Sequence, residues 1–207
     1  MNTFCIFLLM IPTVSFCFCS CSCSCSTTRS GFFSSSELSA CHHSDIVITT
    51  GSGITVHDLT PFIKKELSSL RSTDGIVSIT AQHTTTSVFL NEHESFLAQD
   101  LITWCEKAVP ETDSYKHNDI TSRPSNRDEE LRIIENGFDI TNPIELQKWR
   151  DGEPINAHAH ILASIFGNGV SLGFANSTLQ IGKWNSCLFA DFDPGPKTRR
   201  IRLTFLS

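Results

Sequence analysis

The chain has 207 residues, 40% of them hydrophobic and 18% charged, which is enough apolar material for one ordinary core. Its net charge of −6 at pH 7 excludes a broad basic face for nucleic acid. A local basic pocket for an anionic small ligand stays compatible with that balance.

The first 44 residues read as a segment apart. They hold Cys5, Cys17, Cys19, Cys21, Cys23, Cys25 and Cys41, leaving only Cys105 and Cys187 beyond them. Their alternation with serine lacks the C-x-x-C spacing of zinc sites. No acid precedes Glu37 and no base precedes Arg29, and the apolar run from Phe4 to Met10 is too short to span a bilayer. An acid-poor, Ser-rich start predicts a plastid transit segment; a secretory signal, or a disordered tail on a cytoplasmic protein, is the alternative. Two cysteines in the remainder fit a fold that does not depend on disulfides.

From Asp45 onward no repeat or linker divides the chain, so residues 45–207 are expected to form one domain. Ile46 to Thr50 predicts a strand and Gly51 to Gly53 a turn. Thr60 followed by Pro61 predicts a helix start, with Thr60 as the capping hydroxyl and Phe62, Ile63, Leu67 and Leu70 as the apolar face. Ile76 to Thr80 and Ser87 to Leu90 read as extended. A helix is expected from Ser95 to Ala108, with Leu97, Leu101, Trp104, Cys105 and Ala108 on one face and Val109-Pro110 as its stop. Residues 110–156 form a long polar connection with helical turns near Ile144 to Trp149, and a connection of that length is more often functional than filler. A helix over His158 to Phe166 and strands over 170–174, 178–181, 186–192 and 200–205 complete the pattern, with Asn176-Ser177 as a hairpin turn. The fold class is α+β, a single domain with a mixed, largely antiparallel sheet and a few helices.

Imidazoles and acids gather in three short segments: Gln82 to Thr86 continuing to Asn91, Glu92, His93 and Glu94; Tyr115 to Asp119; and Asn156 to His160. Such groups are the material of metal binding and acid/base work. The hydroxyls of Thr84 and Thr85 suit phosphate oxygens, whereas a threonine-rich strand end with a packed histidine is the plain alternative. Glu92 at a helix start either complements the helix dipole or aims at a ligand. His158 and His160, two apart on a helix, point about 200° apart. Arg123, Arg127, Arg150, Lys183, Lys197, Arg199 and Arg200 are candidates for phosphate recognition, most of them expected to be surface charges. Trp184 is suited to stack on a flat ring, or else to pack in the core.

In order and spacing, these residues resemble the YjbQ-like family of secondary thiamine-phosphate synthase proteins. The resemblance rests on Gln82 to Thr85, Asn91-Glu92, Tyr115 with His117 to Asp119, Asn156 to His160, Gly182 with Trp184, and the basic strand after Asp193, Gly195 and Pro196. It runs from about Asp45 to the C-terminus. Asn185 departs from the Gln usual after the tryptophan, and residues 128–151 look longer than in compact versions.

The resemblance implies a homotrimer with ligand sites near subunit contacts. It also implies joining of hydroxymethylpyrimidine diphosphate to a thiazole phosphate, as a primary or a secondary activity. On that reading His83, Glu92, Asp119 and His160 are the catalytic candidates. Thr84, Thr85, Asn91, Asn156, Lys183 and Trp184 bind ligand, and His117 and His158 hold a divalent metal, Mg²⁺ or Zn²⁺. The partner is a phosphorylated small molecule, with no nucleic acid and no membrane for the mature domain. A metal-dependent hydrolase or a non-catalytic metabolite-binding trimer are the rival classes.

Overall fold

The structure, a computed structural model, describes residues 41–207. The targeting segment expected over 1–44 lies outside the described residues as far as residue 40. Its last four residues belong to the first strand, because β1 (Cys41–Thr49) starts earlier than the predicted Ile46 and pairs with the chain's last strand from Cys41 opposite Leu206.

β2 (Thr55–Asp58) is a short strand that the sequence pattern does not announce. α1 (Thr60–Ser69) follows, then β3 (Gly75–Ala81), β4 (Thr86–Glu92) and α2 (Ser95–Ala108). The long connection carries two 3₁₀ turns, Lys116–Asn118 and Ile120–Ser122, and two helices, α3 (Arg127–Glu135) and α4 (Pro143–Gly152). α5 (Ala157–Phe166), β5 (Gly169–Ala175), β6 (Thr178–Leu179), β7 (Asn185–Asp191) and β8 (Thr198–Leu206) complete the chain. Asn176 and Ser177 both take positive φ, 49° and 54°, the conformation a two-residue type I′ hairpin demands.

The strands form two antiparallel sheets, ordered β1-β8-β3-β5-β6 and β2-β7-β4. Alternation along β7 sets the layering. Cys187 and Phe189 face the first sheet and pack with Val77, Ile79, Leu203 and Phe205. Ala190 and, just beyond the strand, Phe192 face the other way, against Cys105 of α2 and Leu162 and Ala163 of α5. The smaller sheet is therefore the middle layer, between the larger sheet and helices α2 and α5, whereas α1 buries Ile63 and Leu67 in the cluster of the larger sheet. Each fully buried Phe or Leu here contributes roughly 1.5–3 kcal/mol relative to exposure. An exposed pair such as Arg127–Glu130 contributes about 0.2–1 kcal/mol. The two apolar clusters, not the surface ion pairs, hold the layers together.

Thr60 does not cap α1. The Asp58 carboxylate accepts from the Thr60 N–H at 2.8 Å, and the Thr60 hydroxyl accepts from the Cys187 N–H, stitching the helix start to β7. On α1, Ile63 and Leu67 are buried, whereas Phe62 is exposed. On α2 only Cys105 is fully enclosed; Trp104 is half exposed and meets Phe166 edge-on. No helix among the described residues is long and apolar enough to cross a membrane.

Candidate functional site

β4 sends Val88 into one apolar cluster and Phe89 towards the other, and the residues at its two ends line different cavities. At its start, a cavity of about 510 Å³ is walled by Gln82, His83, Thr84 and Thr86 on one side and His160, Ser164 and Asn168 on the other. No carboxylate contributes to it. At its far end, a cavity of about 540 Å³ is walled by Glu92, His93, Lys183 and Trp184 with Asp58 and Lys64. The six residue steps from Thr86 to Glu92 separate the two by about 20 Å.

His83 is held by a backbone contact. Its Nε2 accepts from the Arg200 N–H at 3.2 Å, so the neutral ring carries its proton on Nδ1. Burial pushes His83 below its ordinary value, and the Arg199 guanidinium pushes the same way against the pull of Asp191 and Asp193. His160 sits on α5, whose first N–H, that of Ala157, donates to Asn118 Oδ1 at 3.0 Å. That bond ties the polar connection to the helix start. It also brings His117 against His160, ring centroids 4.9 Å apart and edge to face. Burial lowers His117, and the charges of Arg123 and His160 lower it further, while Glu153 and Asn156 act in the opposite sense. The backbone turn at Gly167, φ 79°, ends α5 and completes the cavity wall.

Behind His83 lies a buried network that the sequence reading missed. Arg199 donates to both oxygens of Asp191, at 2.7 and 2.9 Å, and to Asp193 at 2.6 Å. Thr85 donates to Asp193 at 3.0 Å, Asn156 Nδ2 to the other oxygen of Asp193 at 2.6 Å, and Thr50 to Asp191 at 2.9 Å. Burial alone would raise the Asp193 carboxyl, but the bonds from Asn156, Arg199 and Thr85 outweigh it and hold it below the ordinary value. Burial opposes the charge on Arg199, yet its carboxylate partners win and raise it. An aspartate closing the apolar strand Cys187 to Phe192 was the available signal, since acids are seldom buried unless paired.

The sequence candidates therefore divide. His83, Thr84 and His160 share the first cavity, with His117 packed on His160. Thr85 and Asn156 are buried in the ionic network behind it rather than facing a ligand, and Arg199 is spent on two aspartates rather than free for phosphate. Glu92, Lys183 and Trp184 belong to the second cavity. Trp184 is 68% exposed, so it is not a core residue, and Lys183 Nζ lies 5.1 Å from its ring centroid. Asn91, beside Glu92, turns its amide oxygen onto the Glu92 N–H. Asp119 is exposed and accepts from the Thr121 hydroxyl at 2.6 Å, which holds its carboxyl low within its own turn. His158 is buried on the opposite flank of α5 from His160, away from His117. Among the described residues no three His, Cys, Asp or Glu side chains are placed to share one metal ion.

Comparison with known proteins gives this geometry a context. The family described as UPF0047 protein YjbQ-like matches residues 44–207. The chain belongs to that family. A UPF0047 protein of Archaeoglobus fulgidus is 28% identical over 157 residues, covering 76% of this chain and 95% of its own. One of Methanothermobacter thermautotrophicus is 26% identical over 160 residues, covering 77% and 88%. Among solved structures, a YbjQ-like protein of unknown function from Sulfolobus solfataricus aligns with TM-score 0.62 at 21% identity, over 82% of this chain and 99% of that one. A hypothetical protein from Aeropyrum pernix aligns with TM-score 0.60 at 22% identity, over 80% and 98%. These likenesses show the YjbQ-like α+β fold and do not assign a reaction.

Proposed function

We propose that the His83–His160 cavity binds a phosphorylated small molecule and that the chain is a thiamine-phosphate synthase-type transferase. The observation that carries the reading is the cavity's lining: two imidazoles, hydroxyls and amides with no carboxylate among them. Such a wall offers hydrogen-bond donors to phosphate oxygens and nothing that repels them. In the reaction, the bond between the pyrimidine methylene carbon and its diphosphate oxygen breaks, the electron pair leaving with diphosphate. The thiazole nitrogen then forms the new carbon–nitrogen bond. His83 Nδ1–H and His160 meet the charge that develops on the departing oxygens.

A divalent ion enters this reading as Mg²⁺ brought by the substrate diphosphate, which suits an ion that keeps several waters and is commonly held through substrate phosphates. A homotrimer is part of the same reading. Glu92, Lys183 and Trp184 are too far from His83 to act on one substrate within a subunit, and an adjoining subunit is the available means of bringing them there. The test is formation of thiamine phosphate and diphosphate from the two substrates by purified protein, with and without chelator. Turnover lost in His83→Ala with the thermal transition retained supports the assignment, and absence of turnover in the wild type removes it.

A further inference from the structure

Asn156 stands at the start of α5, 2% exposed, between the buried ionic network and the imidazole pair. Its amide can face only one way. Nδ2 donates to Asp193 Oδ1 at 2.6 Å, and a charged carboxylate only accepts, so the nitrogen must point at it and the oxygen elsewhere. An asparagine at a helix start ordinarily spends that oxygen on the second or third N–H of the helix. Asn156 does not: its side chain caps no N–H of α5, and the first of them, that of Ala157, goes to Asn118. Asn156 Oδ1 is fully enclosed and completes no hydrogen bond among the described residues. An enclosed acceptor left unpaired is costly, so a donor is expected beside it. The His117 ring is that neighbour. The Asn156 amide favours its charged form, which the amide oxygen does and the amide nitrogen cannot.

We propose that Asn156 is a positioning residue, whose Oδ1 accepts a hydrogen bond from one ring nitrogen of His117 and so fixes the tautomer and the tilt of that ring. The bond held by one imidazole nitrogen decides which nitrogen carries the proton. The contacts then run from buried charge to cavity wall: Arg199 to Asp193, Asp193 to Asn156, Asn156 to His117, and His117 to His160. His117 backs the cavity rather than lining it, and His160 lines it. A His117 ring locked by Asn156 holds one orientation against His160 and thereby limits how that ring turns towards a ligand. The inference rests on the phosphate-binding reading for the role of His160, and the bond itself needs no ligand.

The test uses the ligand-free full chain labelled with ¹⁵N at histidine, at pH 8, where imidazoles are neutral. Two-bond nitrogen–proton couplings read the tautomer of each ring, and His117→Gln assigns the His117 signals. The expected wild-type result is one dominant His117 tautomer, its ring N–H protected from exchange and cross-relaxing with the Asn156 amide protons. In Asn156→Ala the tautomer ratio is expected to fall about fivefold. The His160 signals should be displaced, and those of His93, which lines the other cavity, unmoved. Asn156→Asp retains an acceptor oxygen for His117 and is expected to keep the wild-type ratio. Three results would overturn the proposal: a wild-type His117 with mixed tautomers or no contact to the Asn156 amide, a ratio unchanged in Asn156→Ala, or displacement of His93 along with His160. If Asn156→Ala does not fold, the wild-type contact and the ratio in Asn156→Asp decide. No substrate is present, so failure here is distinct from failure of the phosphate-binding reading, which shows as wild-type protein that does not turn over.

Discussion

His117 and His160 meet edge to face with 4.9 Å between ring centroids, although one lies in a polar connection and the other on α5. Asn118, the neighbour of His117, makes the contact possible by accepting the first N–H of that helix. Substituting Asn118 by Ala is predicted to cost about 1 kcal/mol, the ordinary loss for a helix-start acceptor, and to loosen the imidazole pair. Urea denaturation reads the first effect, and separation of the His117 and His160 proton resonances reads the second.

The buried ion network predicts a larger loss. Replacing Arg199 by Met leaves Asp191 and Asp193 enclosed with no counter-charge, and breaking such a cluster costs about 3–5 kcal/mol. Asp193→Asn keeps the shape and removes one charge, so it is expected to cost less than Arg199→Met. Denaturant midpoints of the two variants decide the order.

Acid should weaken the fold through His83 and His117. Burial sets both below the ordinary value of 6.5 in the folded chain. As pH falls through that value the unfolded chain takes up protons that the folded rings refuse, so stability drops on acidification and the loss is complete only below the folded values. Denaturation at pH 7.5, 6.5 and 5.5 is expected to show this decline, and His83→Ala to flatten it. A profile unchanged in the variant would mean that other groups carry the acid sensitivity.

Much of this fold was legible in the sequence, and the exceptions have physical causes. α2 was readable because its apolar positions recur at helical spacing and Val109-Pro110 stops it. The Asn176-Ser177 turn was readable because asparagine tolerates positive φ. α3 was missed because Arg127 to Glu135 is mostly charged. Its signal was a capping box: Asn126 Oδ1 accepts from the Glu129 N–H, and Glu129 returns to the Ser125 N–H and hydroxyl. For the site, His83 and Thr84 were visible as chemistry, but Glu92 was grouped with them by sequence proximity. A strand lies between, and its extension carries Glu92 to another cavity. The Arg199–Asp191–Asp193 network was hidden because β7 and β8 lie in different sheets, and side-chain contact between the two layers follows from no local pattern.

The N-terminal boundary gives a simple expectation. Removing residues 1–40 should leave the thermal transition within error. Removing residues 1–49 deletes β1 and the whole ladder with β8, and should abolish cooperative unfolding. Scanning calorimetry on the two truncations tests both.

The proposed homotrimer, with its site shared between subunits, predicts complementation. Mixed trimers of His83→Ala and Trp184→Ala subunits should regain turnover that neither variant has alone, because some interfaces combine the two intact halves. No recovery in verified mixed trimers would confine the site to a single subunit.

The most direct measurement of the central claim is titration of the histidine-labelled protein with hydroxymethylpyrimidine diphosphate while the imidazole resonances are followed. Saturable shifts at His83 and His160, abolished in His83→Ala while that variant keeps its thermal transition, are the predicted result. Binding that leaves both rings unmoved, or that persists unchanged in the variant, would contradict the assignment of this cavity as the phosphate-binding site.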